Sequence, residues 1–147
     1  MPNWVEGNLR IRGTVKQIAE FVKNAVDDED VTKYVETDTN IDIYLKNGAT
    51  YLRGSQRTFI MGEIFAEAKS PAEKKAVAFD FRSAWKLESD VLLDLAIKSG
   101  VDIRLYAYDR GAEINRNVEI IGGKMVKDET ISFDDYVWEC QCPLIGG

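Results

Sequence analysis

The strictest constraint in the chain is the run of residues 101–108, Val101-Asp102-Ile103-Arg104-Leu105-Tyr106-Ala107-Tyr108, which alternates apolar and polar side chains without a break. A two-residue period places every second side chain on one face of a strand. Such a pattern marks residues 101–108 as the clearest strand in the sequence. Trp4-Val5-Glu6-Gly7-Asn8-Leu9-Arg10-Ile11-Arg12 repeats it more loosely, with Leu9 and Ile11 on one side and Arg10 and Arg12 on the other. Residues 40–45, 49–53, 57–61 and 77–81 read as further strands, as do 117–121 and 124–126 around Gly122-Gly123 and 136–140 at the end of the sequence. Asn47-Gly48 is a strong turn signal.

Two segments carry the helical period instead. Thr14 followed by Gln17 forms a capping-box pattern, and Val15, Ile18, Phe21, Val22 and Val26 recur at helical spacing, which predicts a helix over 15–26. Asp27-Asp28-Glu29-Asp30 ends it by self-repulsion. A second helix starts at Glu88 or Ser89, carries Val91, Leu92, Leu95 and Ile97 at core spacing, and stops at Ser99-Gly100 with glycine at the usual C-terminal position. Residues 63–68 suggest a short helix or a connector, and Ser70-Pro71-Ala72-Glu73 a brief helix with proline at its first position. Two clear helices among many strands predict an α+β fold of the ferredoxin-like, split βαβ kind. Its sheet is mainly antiparallel, with both main helices on one face and extra hairpins. No repeat or linker interrupts residues 1–147, so a single domain is expected.

Several function classes are closed by composition. None of the 147 residues is histidine. That removes serine–histidine and cysteine–histidine nucleophile pairs and histidine-ligated metals. Cys140 and Cys142 stand one residue apart, too close for an unstrained disulfide and two ligands short of a structural zinc site. The expected state is a reduced pair in a tail strand, and neither cofactor nor metal is expected. The formal net charge of −6 lacks the basic excess of a general nucleic-acid binder. No apolar run approaches the ~20 residues of a membrane span, and the first residues do not resemble a secretory leader. The expectation is a soluble protein of the cytoplasm.

A resemblance is carried by three stretches. Met1-Pro2-Asn3-Trp4 followed by a strand and Gly13-Thr14, then Phe81-Arg82-Ser83-Ala84-Trp85 before the second helix, and then Asp109-Arg110-Gly111 with the Gly122-Gly123 hairpin resemble the YubB-type ferredoxin-like proteins, small proteins of plasmids and bacteriophages. Where that family follows its tryptophans with Cys-Ser and with prolines, this chain has Val5-Glu6 and Lys86-Leu87. The resemblance implies a mobile-element origin, the cytoplasm of a host cell and a ferredoxin-like fold. It implies no chemistry.

The candidate sites each have a functional and a structural reading. Trp4 and Trp85 could stack a base or a peptide. As plugs between sheet and helix, the expected reading, they would instead be core. Arg53, Arg57 and Arg82 could clamp a phosphate or carboxylate, with Gly54-Ser55-Gln56 as an anion-binding loop, or be solvated strand residues. Asp80, Asp102, Asp109 and Glu113 could converge for acid–base or metal chemistry, though strand acids on a solvent face are routine. Asp27, Asp28, Glu29 and Asp30 form an acidic patch able to steer docking onto a basic surface, with Asp134-Asp135 as a second. Tyr106 and Tyr108 share a strand face that is either an interface or core.

The expected function is a non-enzymatic accessory protein of a phage or mobile element. It would bind a host or element-encoded protein through Asp27, Asp28, Glu29, Asp30, Trp4, Tyr106 and Tyr108. Inhibition of a host defence nuclease, in the manner of an anti-CRISPR protein, is one version. Direct nucleic-acid binding is not expected, and a homo-oligomer stays open. The alternative is a small-ligand or nucleotide-binding module built on Arg82, Trp85, Arg53 and Arg57.

Overall fold

The computed structural model describes residues 2–47 and 50–147. Gly48 and Ala49, which belong to the expected Asn47-Gly48 turn and the strand after it, lie outside the described residues. The chain folds as β1 (Trp4–Thr14), α1 (Val15–Ala25), β2 (Val31–Glu36), β3 (Asn40–Leu45), β4 (Thr50–Tyr51), β5 (Thr58–Met61), β6 (Glu63–Glu67), β7 (Lys74–Ala84), α2 (Ser89–Ser99), β8 (Asp102–Asp109), β9 (Ile114–Ile121), β10 (Lys124–Ser132) and α3 (Tyr136–Glu139). It is an α+β protein whose strand pairs among these residues are all antiparallel. Seven strands form one sheet in the order β10-β9-β8-β1-β7-β5-β4, and β2-β3-β6 form a second.

β1 is the axis of the large sheet. It pairs with β7 over its whole length and with β8 from Val5 to Arg12. Its period turns Leu9 and Ile11 into the core, where β7 contributes Phe79 and Phe81 and β8 contributes Ile103 and Leu105. α1 adds Ile18, Phe21 and Val22 to that core, α2 adds Leu92 and Leu95, and the small sheet adds Ile41, Ile43 and Ile64. α1 and α2 pack against one another. On the opposite face, Arg10, Arg12, Ala76, Ala78, Asp80, Arg104 and Tyr106 are exposed.

Local chemistry sets the helix limits. Thr14 Oγ1 accepts from Gln17 N–H at 3.2 Å and Gln17 Oε1 accepts from Thr14 N–H at 2.9 Å, so the capping box forms as its spacing predicts. α2 ends at Gly100 in the left-handed conformation, φ 73°. Gly122 and Gly123, at φ 59° and 74°, turn β9 into β10.

Five expectations are corrected. Residues 63–67 are strand, not helix, because Ile64 and Ala66 are buried at a period of two. Ser70-Pro71 makes only a turn, since Glu73 folds back to accept from Lys69 N–H at 2.7 Å and β7 begins at once. Residues 136–140 contain one helical turn rather than a strand: Asp135 caps Trp138 N–H at 3.2 Å, and Glu139 accepts from Asp135 N–H at 3.0 Å. Ile97 is exposed on α2 rather than core. β2 lies outside the strands the sequence predicts, although Val31, Thr32, Tyr34 and Val35 have strand-forming side chains.

Gly7 marks the closest approach in the sheet. A Cβ added there would lie 2.0 Å from the Tyr106 backbone oxygen, so β1 cannot hold its place beside β8 with a side chain at this position. Gly7→Ala is expected to lower the unfolding free energy by about 1–3 kcal/mol or more, as overpacking does. A urea midpoint indistinguishable from wild type would contradict this close fit.

Candidate functional site

The open face of the large sheet is the candidate site. At one end an aromatic row crosses four strands. Tyr51 on β4 packs edge-on to Phe59 on β5, with ring centroids 5.9 Å apart, and Phe59 lies 6.2 Å from Trp4 on β1. The Arg82 guanidinium stacks 3.7 Å from the Trp4 ring centre and pairs with Glu6 at 3.6 Å. Trp4 is half-buried in this stack rather than core.

Trp85 is the correction of most consequence. It is not a core plug: the residue is 57% exposed, and its backbone has φ 73°. The left-handed conformation costs an ordinary residue roughly 1–2 kcal/mol. The neighbourhood enforces it. Trp85 N–H donates to Asn3 O at 2.6 Å, and Asn3 Nδ2 donates to the buried Asp109 carboxylate at 2.6 Å, which also accepts from Ala112 N–H at 3.0 Å. Ser83 Oγ donates to Lys86 O at 2.6 Å across the same bend. The chain is thus strained to hold a large ring in solvent.

The three arginines of the expected clamp separate. Arg53 closes the C-terminal end of α1, donating to Val26 O at 3.2 Å and pairing with Asp27 at 2.7 Å, a structural use of the helix dipole. Arg57 is exposed, and its carbonyl accepts from Ala84 N–H. The expected anion loop binds a carboxylate of the chain itself: Gln56 N–H donates to Glu88 at 3.0 Å, and Thr58 Oγ1 donates to it at 2.9 Å.

The acidic run is only partly free. Asp27 is matched by Arg53, and Asp30 is buried against Lys46 at 2.7 Å. Asp28 and Glu29 remain exposed, with no ion pair among the described residues. The strand acids do not converge. Asp80 is on the open face, Asp109 is buried under Asn3, and Asp102 pairs with Arg12 at 2.6 Å. Among the described residues no acid–cysteine cluster is arranged to hold a metal.

Tyr106 and Tyr108 share the open face as their spacing predicts, with rings 5.5 Å apart, but their environments differ. Tyr106 is exposed. Tyr108 lies beneath the C-terminal segment in a small core with Tyr136 and Cys140, flanked by Phe133, Cys142 and Ile145. Burial, and then the Cys142 thiol, push the Tyr108 phenol far above its ordinary pKa, so it stays a neutral hydroxyl. Cys140 and Cys142 are both unbonded thiols. The segment is tied down by backbone pairing between Gly147 and Trp4, at 3.0 and 3.1 Å. Val137, Trp138 and Leu144 are highly exposed, with Trp138 on the helical turn where the sequence predicts a strand. No helix of the described residues is long and apolar enough to cross a membrane.

Trp85→Gly removes the backbone strain and, because the ring is exposed, forfeits little burial. Its unfolding free energy is expected within about 1 kcal/mol of wild type, the strain relieved offsetting the entropy glycine adds to the unfolded chain. A loss of about 3–5 kcal/mol would restore the core reading.

Asp102 gives a pH test. Burial disfavours its charge, but the Gly122 N–H and the Arg12 guanidinium outweigh that and hold its carboxyl below the ordinary range. A depressed carboxyl stabilises the fold above its unfolded pKa, and that contribution fades as pH falls through the folded value. The urea-midpoint difference between wild type and Asp102→Asn is therefore expected to narrow from about pH 7 toward about pH 3. A constant difference would show that this carboxylate is not linked to folding.

Compared with family models, curated proteins and solved structures, the chain matches none.

Proposed function

We propose that this is a non-catalytic binding protein that takes a protein partner on the edge of the open sheet face, around Trp85, Trp4 and Arg82. The observation that carries the reading is Trp85 itself. A bulky residue in the left-handed region, 57% exposed, contributes backbone strain and little burial to stability. Its position is explained if the ring is buried by something outside the chain. Tryptophan, tyrosine and arginine dominate the energetics of protein interfaces, and Trp4, Arg82, Phe59 and Tyr51 form a row at the end of the sheet where β7 leads into Trp85. Tyr106 extends it. Asp28 and Glu29, with the net charge of −6, favour a basic partner by steering its approach.

The fold in this reading is ferredoxin-like, with both main helices on one face. It is supported by the strand order β8-β1-β7-β5, by the placement of α1 after β1 and α2 between β7 and β8, and by the packing of α1 on α2. The resemblance to YubB-type proteins supports reading the protein as an accessory factor of a phage or plasmid acting in the host cytoplasm, and a host defence nuclease is the target this reading favours.

The test is quantitative capture from host lysate after nuclease digestion, using wild type, Trp85→Gly and Asp28→Lys/Glu29→Lys. Wild type is expected to retain one stoichiometric protein. Trp85→Gly is expected to lose at least about tenfold in affinity, roughly the 1.4 kcal/mol or more of an interface hot spot. The charge reversal is expected to slow association and to weaken its salt dependence. Capture unchanged by Trp85→Gly, or dependent on intact nucleic acid, would overturn the proposal.

A further inference from the structure

Roughly 20 Å along β1 from Trp4, at the strand rise of about 3.3 Å per residue, the same face changes character. The register sets Arg10 directly opposite Arg104, with Arg12 opposite Asp102. Like charges directly across an antiparallel pair repel. Two of the three guanidiniums are neutralised, Arg12 by Asp102 at 2.6 Å and Arg104 by Glu119 at 2.8 Å. Arg10 is not. It is exposed, its hydrogen bond goes to the neutral Asn8 Oδ1 at 3.2 Å, and it makes no ion pair among the described residues.

Space is left beside it. β7 places Ala78 opposite Arg10 and Ala76 opposite Arg12, and neither side chain fills the surface above the strands. A half-open cleft of about 440 Å³ lies over Asn8, Arg10, Asp80, Arg104 and Tyr106, walled on one side by Gln141 of the C-terminal segment. That volume is within the usual range for small-molecule sites, roughly 300–1,000 Å³. A second depression of about 190 Å³ adjoins it and shares Arg10 and Arg104. The Tyr106 ring is held edge-to-face by the buried Tyr108, so a planar apolar surface stands in a set orientation near an unpaired guanidinium.

We infer that this cleft binds a small ligand that joins an anionic group to a planar ring, of the nucleoside monophosphate class. The phosphate pairs with Arg10, whose planar fork suits two oxygens at once. The base packs on Tyr106. Asn8 and Asp80 provide an amide and a carboxylate for sugar hydroxyls or ring N–H groups. Asp80 and the acidic balance of the chain favour a mononucleotide over a polymer, which would bring many phosphates past these carboxylates. The site does not depend on the partner surface at Trp85.

The test is calorimetric titration of the full chain with each of the common ribonucleoside monophosphates, with inorganic phosphate, and with a short single-stranded oligonucleotide. Saturable binding of at least one monophosphate is expected, about tenfold or more tighter than inorganic phosphate. Arg10→Ala is expected to reduce both by about tenfold or more, and Tyr106→Ala to reduce the monophosphate alone. Trp85→Gly is expected to leave the titration unchanged, which separates this site from the partner surface. No monophosphate binding, or binding indifferent to Arg10→Ala, would overturn the inference. So would equal affinity for inorganic phosphate, or tighter binding of the oligonucleotide than of any monophosphate.

Discussion

Everything in the large sheet is hung on the two-sided pairing of β1 with β7 and β8. A strand hydrogen-bonded on both edges has no freedom to shift, because a slip by one residue would exchange its faces and bring Arg10 and Arg12 into the core in place of Leu9 and Ile11. Burying those guanidiniums without partners is prohibitive. The register that seals the core under Leu9, Ile11, Phe79 and Leu105 therefore also decides which side chains line the open face. Gly7 permits this by letting β1 approach the Tyr106 carbonyl more closely than any side chain would allow.

The open face is divided by chemistry. At the end near Trp4 the rings and Arg82 shield one another, and the bend at Trp85 is pinned by Asn3, which is held in turn by Asp109. Strain at that bend is sustained by a buried hydrogen-bond network, which is how a folded scaffold keeps an unfavourable conformation in place. Toward Arg10 the face becomes polar and its floor shallow. Between the two, the C-terminal segment crosses the sheet and buries Tyr108 together with Tyr136 and Cys140. One sheet thus presents an aromatic row at one end and an unpaired arginine beside an open cleft at the other, without either intruding on the core.

Much of the fold was legible because local and global preferences agree. The capping box at Thr14 and Gln17, the glycine stop at Gly100 and the alternation of β8 are each satisfied by contacts within a few residues or by one covered face. The departures from local preference share a cause. Tyr136, Val137 and Trp138 look like strand residues in isolation, yet the Asp135 cap and Glu139 wind them into a turn, and only Tyr136 finds a core to enter. Residues 63–67 have too few positions to separate the two periods, and pairing with β3 decides between them. Arg53, Arg57 and Arg82 separate because proximity in sequence says nothing about which carboxylate or helix end each one meets.

By itself the sequence determined which residues prefer strand or helix, which strand faces are apolar, and which chemistries are closed to a chain without histidine. Those properties follow from side-chain period, branching and pKa, and need no neighbours. Only the tertiary structure decided that Arg53 closes a helix while Arg10 is left unpaired, that Glu88 fills the loop at Gln56, and that Trp85 faces solvent. These depend on long-range pairing: a charge is free or matched, and a ring buried or exposed, according to what another part of the chain places within a few ångströms of it.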